Sequence, residues 1–287
     1  MAAEAGHEAV MWTLLANGAE IDMRDGTECT ALWYAAKNGH KTIAQLLIEK
    51  GAFVDAGDYE NNTPLMAASE AGHVDIVRLL ILDGANVHAR NNDGTTPFMR
   101  AATEGFVEVA LLLVDNGARV DERDMNGWTP LMHASNNAEE AMVRFLLEMG
   151  ADTNATADGS YAPILCALDV FSANIRQLLL DKVDDVNEVS NDGQTLLIRD
   201  AQEGYRALKF TQTLLERGAD VNARDSYNRT ALWHAVNFGS FEKVELLLGY
   251  GAAPDIQDKA GNTPMALAKE YGDTGMVELM EDYLAKS

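Results

Sequence analysis

From residue 74 to residue 82 the apolar side chains Ile76, Val77, Leu79 and Leu80 recur at the spacing of a helix with one buried stripe. The same spacing returns at Ile43, Leu46 and Leu47, at Val109, Leu112 and Leu113, and at Met142, Phe145 and Leu146. A shorter segment rich in small residues precedes each stripe, as in TPLMAAS at 63–69. Thr63 suits a helix N-cap, because its hydroxyl can accept from amides with no partner in the first turn, and Pro64 suits the first helical position, which needs no amide hydrogen. Gly72 supplies the backbone freedom that ends the short helix, and Gly84 stands just past the second. The pattern predicts a short helix, a tight turn at His73 and an antiparallel second helix.

The same pattern recurs along the chain. The capping position falls at Thr30, Thr63, Thr96, Thr129, Ala162, Thr195, Thr230 and Thr263, at intervals of 33 residues except for one of 35 between Thr195 and Thr230. TALWYAAKNGH at 30–40, TPLMAASEAGH at 63–73, TPFMRAATEGF at 96–106, TPLMHAS at 129–135, TALWHAVNFGS at 230–240 and GADVNARD at 218–225 align in this register. A helix-turn-helix repeat of about 33 residues resembles the ankyrin repeat, and the resemblance runs through the chain. It implies an all-α solenoid in which each repeat buries its apolar stripe on the next. The expected organisation is one domain over 1–287: a partial first repeat at 1–24, seven repeats over 25–257, irregular at 157–224, and a C-terminal capping repeat at 258–287. The partial first repeat lacks its TPLH-like segment, which points to a stretch cut from a longer array.

Departures from the pattern carry information. In the fifth repeat Ala162 replaces the capping threonine, Phe171 the turn glycine and Val183 the glycine after the second helix, so that helix must end by another means. In the sixth, Asp200 stands in a row of alanines, where a carboxylate is costly unless paired or hydrated, and two extra residues fall within Tyr205–Thr213.

Composition narrows the function. A formal net charge of −23 argues against nucleic acid and anionic membranes, and no apolar run reaches the length of a membrane helix. Cys29 and Cys166 lie four repeats apart, on the order of 40 Å at ordinary helix-layer spacing, so they are expected as thiols in a reducing, cytoplasmic setting. The chain shows no phosphate-binding glycine loop, zinc spacing or nucleophile elbow. His133 and His234 share a register but stand three repeats apart, roughly 30 Å, too far to act on one substrate. His7, His40 and His73 take one turn position, as packing requires. No enzyme activity, cofactor or metal is expected.

The ankyrin resemblance implies binding on a concave palm formed by the first helices and on projecting turn tips. The residue four after each cap is then a palm position: Tyr34, Ala67, Arg100, His133, Cys166, Arg199, His234 and Leu267. Tip positions include Tyr59, Met125, Trp128, Tyr161, Tyr227 and Arg229, and arginines recur six residues before the caps at Arg24, Arg90, Arg123 and Arg224. Aromatic and arginine side chains dominate binding hot spots. The candidate partner-binding set is therefore Arg100, Arg123, Met125, Trp128, His133, Tyr161, Arg199, Tyr227, Arg229 and His234. Bland roles stand beside this one: Arg100 and Arg199 can pair with Glu104 and Glu203 along their own helices, and Trp33 and Trp233 can wedge between repeats. The expected function is a monomeric, non-enzymatic module gripping a protein or peptide across repeats three to seven, its acidic groups meeting the palm arginines. The alternatives are a structural spacer, a substrate of an asparaginyl hydroxylase at residues such as Asn222, or the ankyrin portion of a larger protein.

Overall fold

The computed structural model describes residues 2–157, 162–170, 172–190, 192–203 and 208–286. The chain divides into two compact units, Met1–Asp158 and Gly159–Ser287. The boundary falls at the start of the fifth repeat, where the consensus is weakest.

In the first unit, α1 (Glu8–Ala16) is followed by four helix pairs: α2 (Ala31–Lys37) with α3 (Lys41–Glu49), α4 (Pro64–Glu70) with α5 (Val74–Leu82), α6 (Pro97–Thr103) with α7 (Val107–Asp115), and α8 (Pro130–Asn136) with α9 (Glu140–Glu148). Each first helix starts where the sequence places it. The hydroxyls of Thr30, Thr63, Thr96 and Thr129 accept from the amides of Trp33, Met66, Met99 and Met132 at 3.2–3.4 Å. Ile43, Ile76, Val109 and Met142 are fully enclosed between layers, whereas Leu79 and Leu112, at the edge of the stripe, stay half-buried.

The turns lock successive repeats together. Gly72 has φ +74°, and a Cβ there would lie 2.6 Å from the Phe106 ring of the next repeat, so both backbone and space demand glycine. His73 occupies the equivalent place against Gly39, its Nε2 3.1 Å from the Lys37 carbonyl, and His40 reaches the Glu4 carbonyl at 2.9 Å. Carbonyls only accept, so Nε2 carries the proton in both rings. The tips join through the amides of Tyr59, Asn92 and Met125, which donate to Thr27, Glu60 and Asp93 of the preceding repeat.

The second unit contains α10 (Pro163–Asp169), α11 (Ala173–Leu180), α12 (Leu196–Ala201), α13 (Leu208–Glu216), α14 (Ala231–Asn237), α15 (Phe241–Gly249), α16 (Pro264–Glu270) and α17 (Thr274–Lys286). Ala162 precedes α10 without a side-chain cap, as its chemistry requires. The end of α11 shows how the chain manages without a glycine at Val183. Arg217 of the next repeat donates to the carbonyls of Leu180 and Val183, the latter at 2.6 Å, so a guanidinium fastens the end of α11, where the Val183 amide also donates to Leu180. Asp200 is wholly enclosed but not abandoned: Lys243, equally buried, lies 3.2 Å away, and the Thr211 hydroxyl donates at 2.5 Å. Phe171 and residues 204–207, the last three of which belong to the stretch carrying the extra pair, lie outside the described residues.

Candidate interaction surface

The palm is built by a brace between each loop and the helix that follows it. Five residues before a cap stands Asp25, Asp58, Asn91, Asp124 or Asp225, whose Oδ1 accepts from the amides two and four residues ahead and folds the tip into a compact turn. In three of these the second oxygen remains for the palm residue nine positions later. Tyr34 donates to Asp25 at 2.7 Å, and His133 and His234 stand 3.0 Å from Asp124 and Asp225. Hydrogen bonds, first from Thr27 and then from Tyr34, bring Asp25 down to about 2. Burial holds both imidazoles below their ordinary value, against the opposing pull of Asp124 and Asp225.

In the first unit these contacts set the candidate residues in place. His133 is half-buried with its ring centroid 5.3 Å from that of Trp128. Trp128, a tip position in the sequence, is half-buried, while Met125 beside it is 75% exposed. Arg100 reaches back one repeat rather than along its own helix, its Nη2 donating to Asn62 at 3.1 Å. Arg123 donates to the carbonyls of Thr156, one repeat ahead, at 2.6 Å and of Gly127 at 3.3 Å. Arg24 and Arg90 do the same to Gly57 and Arg123, so these three arginines fasten neighbouring loops. Trp33 is wedged between repeats, with Nε1 donating to the Asn62 carbonyl at 2.9 Å.

The second unit repeats the device with a larger aromatic group. The Arg229 guanidinium lies 4.5 Å from the Tyr227 ring and 5.0 Å from that of Trp233, and Nε donates to Asp225 at 3.1 Å. His234 is buried against Trp233, ring centroids 5.1 Å apart, and Tyr227 stays 61% exposed. Burial would raise Asp225, but hydrogen bonds from the Arg229 amide and His234 bring it below the usual carboxylate range. Arg199 is half-buried on α12, and Tyr161 lies outside the described residues.

The structure thus joins Trp128, His133 and Asp124 in one unit and Tyr227, Arg229, Trp233, His234 and Asp225 in the other. The residues the sequence left unremarked are the braces Asp25, Asp124 and Asp225, and Asn62. Their signal is a carboxylate nine residues before each palm tyrosine or histidine, a spacing that means little until the loop is known to fold back. Around Ala67 the palm opens into a recess of about 440 Å³ lined by Trp33, Tyr34, Tyr59, Glu60, Glu70 and Arg100, among others. Among the described residues no group of three or more His, Cys, Asp or Glu side chains could hold a metal ion, and no helix is long and apolar enough to cross a membrane.

The sequence matches the family described as ankyrin repeats (3 copies) over residues 1–91, 81–157 and 164–258. It is 38% identical over 105 residues to the probable 26S proteasome regulatory subunit p28 of Saccharomyces cerevisiae, a match covering 36% of this chain and 45% of that protein. It is 37% identical over 95 residues to the E3 ubiquitin-protein ligase Ufd4 of Drosophila melanogaster, covering 33% and 3%. It is 39% identical over 72 residues to human ankyrin repeat domain-containing protein 63, covering 25% and 19%. In each case the chain spans less than half the length of the relative.

Proposed function

Since the chain belongs to the ankyrin-repeat family, we propose that it is a non-enzymatic protein-interaction module, binding partner proteins through the first-helix palms and turn tips within its units. The observation that carries this reading is the pairing of rigidity with exposure. Three palm side chains, Tyr34, His133 and His234, are fixed by carboxylate braces, while large apolar side chains stand out at the tips: Met125 at 75%, Tyr59 at 62% and Tyr227 at 61%. A pre-positioned surface loses little side-chain freedom on association, and exposed aromatics beside it supply buried area. The guanidinium groups of Arg100, Arg123 and Arg229 are already engaged by Asn62, Thr156 and Asp225, so the proposal does not rely on them to hold a partner's carboxylates.

Modification at Asn222 is less well supported. Its Nδ2 donates to Gly251 and its Oδ1 accepts from Ala253, so an enzyme reaching this amide must first open the loop. The interaction reading is tested by affinity capture from native cells with quantitative mass spectrometry. Met125→Ala combined with Tyr59→Ala, or Tyr227→Ala alone, should lower recovery of specific partners at least about tenfold, the effect of truncating a hot-spot contact. Recovery unchanged in both variants, with unfolding curves intact, overturns the assignment of these surfaces.

A further inference from the structure

We propose that the recess around Ala67 receives a cationic side chain, a lysine or arginine, from an extended segment of the partner; this rests on the interaction reading above. The recess arises from one small residue. Tyr34 and Arg100 fill the palm position on α2 and α6, but Ala67 on α4 between them has only a methyl group, which leaves one layer of the palm empty. Cys29, Trp33 and Ala67 form its apolar floor, with Tyr34 packed against them. That gap is about one helix spacing wide, roughly 10 Å, which fits a single long side chain lying on an apolar floor.

The lining decides the charge of the occupant. Among the described residues that line it, four carboxylates, Glu4, Asp58, Glu60 and Glu70, stand with two cations, Lys37 and Arg100, in a protein whose net charge is −23. Asp58 is consumed by its own loop, Glu60 Oε2 accepts from the Asn62 side-chain amide at 3.3 Å, and Arg100 is held by the neutral Asn62 Oδ1 and keeps its charge, so the four carboxylates still outnumber the cations. Glu70 is exposed at the end of α4 and Glu60 is half-buried at the tip, with the exposed Tyr59 ring beside it. The chain's own Lys37 shows what these walls hold: its Nζ stands 4.9 Å from the centroid of the Trp33 ring. A partner's ammonium or guanidinium entering between Tyr34 and Tyr59 meets ring faces and two carboxylates, whereas a carboxylate there is repelled.

The test uses the full chain and two fluorescent extended peptides of about ten residues, long enough to cross roughly three layers, one with alternating lysine and glycine and one with alternating glutamate and glycine. Binding is followed by anisotropy at about 0.15 M salt, where diffuse surface attraction is screened beyond roughly 8 Å. The lysine peptide should bind, and Glu60→Gln with Glu70→Gln should weaken it about tenfold, the scale expected for charge-assisted contacts. Ala67→Arg should do the same, because it places the chain's own cation in the gap with the residue already tolerated at Arg100. A control pair of equal charge on the second helices and their ends, Asp83→Asn with Glu148→Gln, should change binding less than about twofold, since lost diffuse attraction is screened. Equal loss in the control pair, no loss in either recess variant, or preferential binding of the glutamate peptide overturns the proposal. Partner capture that still depends on Met125 and Tyr227 in such a case leaves the interaction reading standing, so the two failures are told apart.

Discussion

At the scale of single residues, the palm histidines are held in place by the carboxylates beneath them and kept neutral by burial. His133 is half-buried and His234 buried, each 3.0 Å from an aspartate, yet for both, desolvation outweighs the carboxylate and lowers the pKa below the ordinary value. A group whose folded pKa is depressed binds more protons when unfolded. Its contribution to stability is therefore complete above the unfolded value, about 6.5 for histidine, and is lost as pH falls from there toward the folded pKa. The urea midpoint should fall on acidification from about pH 7 to about pH 5, and His133→Gln with His234→Gln should flatten that slope. An undiminished slope in the double variant would assign the pH dependence to other groups. The capping threonines that begin the same helices were legible from sequence, because their spacing to the amides they bind is local. The aspartate braces were not, since a nine-residue separation closes only when the tip folds back on the palm.

At the scale of the helix pair, α12 and α15 meet across a buried ion pair. Asp200 and Lys243 have no exposed surface, and burial pushes the carboxyl up and the ammonium down, each opposed by the other's charge. Removing one partner leaves a buried charge without compensation, so Asp200→Ala or Lys243→Ala should each cost about 3–5 kcal/mol in denaturant unfolding. The double change Asp200→Leu with Lys243→Met replaces the pair by apolar groups and should cost far less than the sum of the single changes. Additive losses would mean that the two groups are not coupled. The sequence marked Asp200 as anomalous because it broke a row of alanines, but its partner was invisible: Lys243 lies 43 residues on, in a helix whose stripe would ordinarily be apolar at that place. Arg217 was hidden in the same way. Val183 announced that α11 could not end on a glycine, yet the contact that fastens this end comes from a side chain one repeat later, at a distance no local pattern records.

At the scale of the whole molecule, the period alone gave the fold, because eight registers repeat one supersecondary unit, and the stretch at 157–224 that departs from it begins where the two compact units divide. The two units nevertheless differ in what secures them. Every first helix of the unit 31–136 begins on a threonine whose hydroxyl accepts an amide, whereas α10 begins on an alanine, α11 is held at its end by a borrowed guanidinium and α12 carries the enclosed Asp200. A missing cap costs on the order of 1 kcal/mol, and in a repeat array such losses act on near neighbours rather than on the whole. Hydrogen exchange of the full chain in rising urea should therefore show α10–α13 losing protection at lower urea than α2–α9. The recess at Ala67 lies wholly in the first unit, so the lysine peptide should still bind, and still respond to Glu60→Gln with Glu70→Gln, at urea concentrations where α10–α13 already exchange freely. Loss of protection in both units at one urea concentration would show a single cooperative structure, and binding would then vanish with it.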